Sequence, residues 1–66
     1  MRLHYDPAAD ALYLRFAEAE IVESEEVRPG IILDFDAADR VVAIEILNLR
    51  AQFPDADVKR FQLDVA

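Results

Sequence analysis

Apolar and polar residues alternate through most of the first 47 positions of the chain. Around position 14, Leu12, Leu14 and Phe16 occupy one set of alternate positions, and Tyr13 and Arg15 occupy the other. A period of two is the spacing of side chains on one face of a β-strand. The alternation predicts strands over residues 2–5, 11–17, 21–27, 30–36 and 41–47.

Short polar connections separate these strands. Asp6 can accept a hydrogen bond from the backbone ahead of it, and Pro7 fixes its own φ, so the two residues predict a turn. Pro29 and Gly30 predict a type II turn, whose second central residue requires a positive φ. Residues 36–40 contain no glycine and predict a longer hairpin loop. The connections indicate an antiparallel β-meander in which successive strands pair.

The pattern changes after Leu47. Asn48 is a candidate N-cap for a helical turn over residues 49–53, and Pro54 ends that turn. Two alternatives remain open for residues 55–65, a short helix over 56–62 or a last strand over 58–65. We therefore expect an α+β fold, a small antiparallel β-meander of four to five strands with a short C-terminal helical segment.

One face of the predicted sheet supplies the expected core. The core residues are Leu3, Leu12, Leu14, Phe16, Ile31, Leu33, Phe35, Val42, Ile44 and Ile46. The opposite face is half apolar, because an aromatic residue and an arginine share it with aliphatic residues, a mixture typical of interface cores. The candidate dimer face consists of Tyr13, Arg15, Ile32 and Val41.

The length of the chain favours self-association. Its 66 residues fit a single domain, 1–66, and a domain of this size buries only roughly 60% of the surface of its unfolded chain. Small domains supplement such a core with disulfides, metals or a partner chain. The chain contains no cysteine, so we expect a homodimer.

The formal net charge of −7, from 14 acidic and 7 basic residues, argues against nucleic-acid binding. It favours a basic protein as a partner. No apolar run approaches the roughly 20 residues that span a membrane, and the N-terminus lacks the pattern of a signal peptide, so we expect a cytoplasmic protein. The densest acidic cluster, Glu23, Glu25 and Glu26, is either an edge strand that charge protects from aggregation or a docking stripe for a basic partner.

Few residues could carry catalysis. His4 is the only histidine and Ser24 the only serine, and there is no cysteine or threonine, so a hydrolytic triad is not expected. Asp34, Asp36 and Asp39 have a faint likeness to a calcium loop but lack its glycine and its distal glutamate at the required spacing. We therefore expect no enzyme activity, no metal and no cofactor.

Parts of the chain resemble the prokaryotic domain-of-unknown-function family 2283. The residues that carry the resemblance are 5–14 in the opening, 23–27 and 29–34 in the middle and 41–47 at the close. It covers about residues 2–50 and leaves 51–66 as a C-terminal extension. The resemblance implies a small β-rich domain with no agreed activity. Because relatives are sometimes encoded beside proteins that resemble ribonuclease toxins, it also implies a partner role.

Three functions follow from these observations. The first is a non-enzymatic homo-oligomeric protein-interaction module. The second is an antitoxin-like partner that neutralises a small basic toxin through the acidic stripe. The third is a metal- or ligand-binding enzyme subunit.

Overall fold

One antiparallel sheet of five strands forms the body of the protein. The computed structural model describes all residues, 1–66. The strands are β1 (Arg2–Asp6), β2 (Ala11–Arg15), β3 (Glu23–Arg28), β4 (Ile31–Phe35) and β5 (Val41–Ile46), and a single helical turn, α1 (Leu49–Gln52), follows them. The structure confirms the antiparallel sheet, and its helical part is limited to the four residues of α1.

The order of the strands across the sheet is β1-β2-β5-β4-β3. The three hairpins β1–β2, β3–β4 and β4–β5 are present as predicted. β2, however, pairs with β5 instead of β3, so the strands do not pair in sequence order at this point. β5 carries apolar side chains on both faces, so it buries more apolar surface at the centre of the sheet than it would at an edge. In that position Val42 and Ala43 are 2% and 0% exposed. The polar strand β3 lies at one edge of the sheet, next to β4.

The turns follow the local chemistry of the sequence. Asp6 Oδ1 accepts a hydrogen bond from the Ala8 N–H at 3.0 Å, as the turn prediction requires. Gly30 has a φ of 78°, as a type II turn demands of its second central residue.

The two faces of the sheet differ in chemistry. Cross-strand pairing places Leu3, Leu14, Ile44 and Leu33 in one row. With their alternate neighbours they form what we call the apolar face: Leu3, Tyr5, Leu12, Leu14, Ile31, Leu33, Phe35, Val41, Ile44 and Ile46. The polar face carries Arg2, His4, Tyr13, Arg15, Ser24, Glu26, Ile32, Asp34, Ala43 and Glu45.

Most of the expected core is open in a single chain. Val42 is buried as expected, but the only other buried apolar residues are Ala43 and Leu49. Phe16 is 39% exposed, and the other expected core residues are half-buried. The expectation was wrong in this respect because little covers the apolar face except one helical turn and part of the C-terminal segment.

The helical turn α1 is capped by a distant residue. Asn48 is the N-cap residue of α1 as predicted, but its φ is 54° and its side chain makes no capping hydrogen bond. Asp10 performs this role instead. Its carbonyl accepts the Leu49 N–H at 3.0 Å, and its carboxylate accepts the Arg50 N–H at 3.0 Å. Because these donors belong to the first turn of α1, Asp10 attaches α1 to the β1–β2 hairpin.

Residues 53–66 form neither of the two elements considered for them. The segment has two isolated turns, closed by the Ala56 N–H to Phe53 carbonyl bond and the Arg60 N–H to Asp57 carbonyl bond. A helix of so few residues is marginal, and no neighbouring strand edge is paired with the segment. None of the protein's helices combines the length and the apolar character needed to cross a bilayer.

Candidate functional site

The polar face contains a buried carboxylate at its centre. The Asp34 side chain is only 2% exposed. Its Oδ1 accepts a hydrogen bond from the Ser24 hydroxyl at 2.5 Å, whereas its Oδ2 is buried and accepts no hydrogen bond from an amide, guanidinium or hydroxyl group. Glu45 lies diagonally across the β4–β5 pair, since Asp34 faces Ala43 in the register. Long side chains reach one another at this spacing.

Asp34 changes the protonation of Glu45. A hydrogen bond with Asp34 raises the pKa of Glu45, and desolvation and the negative charge of Asp34 raise it further. The Glu45 carboxyl group thus keeps its proton to a higher pH than an ordinary glutamate and can donate to the buried carboxylate. The arrangement can hold a proton within the sheet. No basic group is paired with Asp34, and Ser24 is committed to it as a donor.

Tyr13 and Arg15 lie beside this pair and are tied to the chain that follows them. The Arg15 guanidinium donates to the Ala17 carbonyl at 2.9 Å, to the Ala19 carbonyl and to the Tyr13 hydroxyl at 3.1 Å. The Arg15 side chain is accordingly only 16% exposed. These bonds hold the start of the connection that crosses the sheet from β2 to β3.

The four residues of the candidate dimer face do not share one surface. Tyr13, Arg15 and Ile32 lie on the polar face, but Val41 pairs with Phe35 and lies on the apolar face. A register shift between Asp34 and Phe35 causes this difference. A β-bulge inserts one residue and so reverses the side on which the following side chain points.

The acidic stripe lies on a free edge of the sheet. β3 is the outermost strand, and Glu23, Glu25 and Glu26 are all exposed. None of them takes part in the protein's three ion pairs. Glu23 and Glu25 border the apolar face beside Phe35 and Leu33. The stripe therefore offers both unpaired backbone groups and free carboxylates.

Two open cavities lie between the apolar face and the C-terminal segment. The first, of about 230 Å³, is lined mainly by apolar residues, including Leu3, Leu12, Leu49 and Phe61. The second, of about 340 Å³, is bounded by Leu3 and Leu14 of the sheet and by Phe61 and Leu63 of the segment. The C-terminal segment therefore lies over the β1–β2 half of the face but does not pack closely against it.

The aspartates that resembled a calcium loop have a different role. Asp36 Oδ1 accepts the N–H groups of Ala38 and Arg40 at 3.0 and 2.9 Å, and Oδ2 accepts Arg40 Nε at 2.8 Å. The backbone N–H of Arg40 is the main cause that lowers the pKa of Asp36. Both carboxylate oxygens thus close the β4–β5 loop. No group of three or more His, Cys, Asp or Glu residues is arranged to hold a metal ion.

His4, the single histidine, is exposed on β1 opposite Tyr13. It is on the polar face, but no hydrogen bond or ion pair joins it to the carboxyl pair.

Comparison with known proteins decides the family of the chain. A family model described as protein of unknown function (DUF2283) matches residues 2–50, which include all five strands and the start of α1. The chain belongs to the DUF2283 family. No curated protein and no solved structure matches it. The DUF2283 match confirms the suspected family and leaves residues 51–66 outside the matched region.

In this DUF2283 chain, the residues that carried the resemblance maintain the fold. The Tyr5 hydroxyl donates to Asp10 Oδ1 at 2.7 Å, and the same oxygen also accepts Arg50 Nε at 3.2 Å. The bond from Tyr5 is the main cause that lowers the pKa of Asp10, and it raises the pKa of Tyr5 in turn. The opening motif thus joins β1, its turn and α1.

Sequence reasoning missed the most unusual pair of this DUF2283 chain, Asp34 and Glu45. A signal for it was present, because each acid occupies an interior position of an otherwise apolar strand. β4 and β5 were predicted to form a hairpin. The register of that hairpin is sufficient to place an acidic residue inside one strand next to an acidic residue inside the other.

Proposed function

We propose that this DUF2283 protein is a non-enzymatic interaction module that works as a homodimer, with the apolar faces of two sheets packed against each other. The observation that carries the proposal is the incomplete burial of that face in one chain. Only three apolar residues, Val42, Ala43 and Leu49, are buried.

The dimensions of the molecule support the proposal. Its accessible surface is 5143 Å², whereas a compact monomer of 7.5 kDa exposes about 4,200 Å². Its radius of gyration is 12.7 Å, against roughly 11 Å for a compact domain of this length. The extents of 35 × 31 × 21 Å describe a flat body. Its broad side is large enough for the roughly 800 Å² per partner of a standard interface.

The open half of the apolar face is the expected contact surface. The C-terminal segment covers the β1–β2 half, which leaves Ile31, Leu33, Phe35 and Ile44 on β4 and β5 half-exposed. Glu23 and Glu25 border this half as a charged rim. An apolar centre with a polar rim is the usual anatomy of a protein interface.

Two lysine substitutions at adjacent positions of β4 test the proposal. Leu33→Lys places a charge on the apolar face and should convert the dimer to a monomer at micromolar concentration. Ile32→Lys places the same charge on the polar face and should leave the dimer intact. Sedimentation velocity measures the state of association, and circular dichroism shows whether each variant is folded. A dimer that survives Leu33→Lys but not Ile32→Lys contradicts the proposal and favours the surface around Tyr13 and Arg15.

The acidic stripe supports a second candidate function, the binding of a basic protein partner in the manner of an antitoxin. The supporting observation is that Glu23, Glu25 and Glu26 lie exposed and unpaired on a free strand edge. An extended basic segment could pair with β3 while its lysines or arginines meet these carboxylates.

Salt separates the two candidate functions. Added salt should tighten the homodimer, because each chain carries a net charge of −7 and screening reduces the repulsion between copies. It should weaken binding of a basic peptide to the stripe. Isothermal titration with an oligolysine peptide at two salt concentrations measures the second effect. Glu23→Gln/Glu25→Gln/Glu26→Gln should abolish binding, and retained binding would rule out the stripe.

A further inference from the structure

The last residues of the chain carry a strand pattern that a single copy leaves unused. Phe61, Leu63 and Val65 alternate with Gln62 and Asp64, which is the period of a β-strand. The three apolar side chains are 66%, 76% and 85% exposed. Residues 61–66 also take part in no backbone hydrogen bond. Addition of this segment to a sheet edge would satisfy both its backbone and its apolar side chains.

Charge distinguishes between the two free edges of the sheet. β3 carries Glu23, Glu25 and Glu26, so an added strand that contains Asp64 would meet like charges there. The outer strand at the other edge, β1, has no such row of acidic residues, because it carries Arg2 at one end and Asp6 at the other. Opposite charges on adjacent strands stabilise their pairing and like charges oppose it. The β1 edge is therefore the complementary one.

The segment does not use this edge within its own chain. It lies over the apolar face, where Phe61 and Leu63 border a cavity together with Leu3 and Leu14. The proposed dimer contacts the other half of this face, on β4 and β5. Transfer of the segment to the β1 edge of a second copy would uncover the β1–β2 half and make the whole apolar face available to the dimer.

Resting on the proposed homodimer, we propose that residues 61–65 of each copy add as an antiparallel strand to β1 of the other copy. With Leu63 opposite Leu3, the register places Asp64 beside Arg2 on the polar face. A slip of one residue would turn Asp64 toward the apolar face, so the alternation specifies this register or one shifted by two residues. Of these, the register with Leu63 opposite Leu3 pairs the opposite charges.

In the same register, Phe61 lies opposite Tyr5 and Gln62 opposite His4. The aromatic pair shares the apolar face, and the amide can hydrogen-bond the imidazole on the polar face. Each contact occurs twice in a two-fold symmetric dimer.

Charge reversal in the full-length protein tests the exchange. Arg2→Glu and Asp64→Lys should each weaken the homodimer by about tenfold, because each creates two like-charge contacts. Asp64→Lys should weaken the dimer even though it lowers the net negative charge of each chain and so reduces the general repulsion between copies.

An equimolar mixture of the two variants should form heterodimers with nearly wild-type affinity, since both of their contacts are complementary. The matched control is Asp55→Lys, which makes the same charge change as Asp64→Lys outside the proposed contact and should not weaken the dimer. Sedimentation velocity gives each dissociation constant, and circular dichroism shows that each variant is folded.

The outcomes are separable. A dimeric wild-type protein whose affinity neither reversal changes would overturn the strand exchange and leave the proposed function standing. Weakening in both variants without rescue in the mixture would also overturn exchange between copies. A monomeric wild-type protein would overturn both proposals. Weak association of each variant by itself, with restored dimer affinity in the mixture, supports the exchange. Mixing cannot restore a strand pairing that forms within one chain.

Discussion

At the scale of single residues, Asp10 connects parts of the chain that are far apart in sequence. Its carboxylate accepts hydrogen bonds from the Tyr5 hydroxyl and from the backbone and side chain of Arg50. Its own φ is 52°, a left-handed conformation that aspartate tolerates better than most residues. One side chain thus maintains the β1–β2 turn and the start of α1 together.

Removal of this side chain should lower the melting temperature. We expect Asp10→Ala to lower it by several degrees and Asp10→Asn by less, since asparagine retains an acceptor and tolerates the left-handed backbone. Asp6→Ala is the matched control, because it breaks local hydrogen bonds within the same turn, chiefly that to Ala8. Thermal unfolding followed by circular dichroism measures the three variants. Equal melting temperatures for Asp10→Ala and wild type would contradict this role of Asp10.

Asp10 should also contribute to the loss of folding stability at low pH. The pKa of Asp10 is lowered in the folded chain, first by the Tyr5 hydroxyl. A lowered pKa contributes stability above the unfolded value of about 3.9 and loses it as the pH falls through the folded value. Asp10→Asn should therefore lose less stability than wild type between about pH 4 and pH 2.

Glu45 should have the opposite pH dependence. Its pKa is raised by the hydrogen bond with Asp34, so its contribution is full below the unfolded value of about 4.3 and is lost as the pH rises through the folded value. Glu45→Gln keeps a donor toward Asp34 at every pH. We expect this variant to melt higher than wild type at pH 7 and to differ less from it at pH 4. A lower melting temperature for Glu45→Gln at pH 7 would contradict a protonated donor at this position.

At the scale of elements, the sequence predicts each strand to within a few residues, because alternation and turn chemistry are local properties. β2 and β5 were predicted over 11–17 and 41–47 and are found at Ala11–Arg15 and Val41–Ile46. The position of β3 at an edge also follows from its charge. The pairing of β2 with β5 was missed, since it depends on which strand gains most from two neighbours. The N-cap position of α1 was predicted, but the capping role of the Asp10 side chain was missed because Asp10 and Arg50 are separated by 40 positions.

The site was less predictable than the strands. The free acidic edge was anticipated, whereas the Asp34–Glu45 pair requires the β4–β5 register. The candidate dimer face failed at Val41 because a bulge changes the side on which that residue lies. Alternation alone contains no information about such an inserted residue.

The Pro29-Gly30 turn provides a test at this scale. A Cβ atom on Gly30 would lie 3.2 Å from the Leu47 carbonyl oxygen and 3.0 Å from Gln52 Nε2, in addition to the positive φ. Gly30→Ala should therefore reduce the free energy of unfolding by about 1–2 kcal/mol, the usual cost of a left-handed alanine. Urea unfolding measures the change. The double variant Gly30→Ala/Gln52→Ala separates the two contributions, since it removes the flexible contact and retains the strain of the backbone.

At the scale of the whole molecule, the protein is a flat sheet whose apolar face is incompletely buried in a single chain. The chain as a whole carries a net charge of −7, while the open half of the apolar face retains Ile31, Leu33 and Phe35 half-exposed. Exposed apolar patches bordered by polar residues mark interaction sites. The proposed homodimer would complete the core of a chain of 66 residues that has no cysteine.

Sedimentation equilibrium of the unmodified chain at micromolar concentration tests this account most directly. The homodimer predicts a mass twice the 7.5 kDa of one chain, with the dimer fraction increasing as salt is added. A single species of 7.5 kDa at all concentrations and salt levels would contradict it.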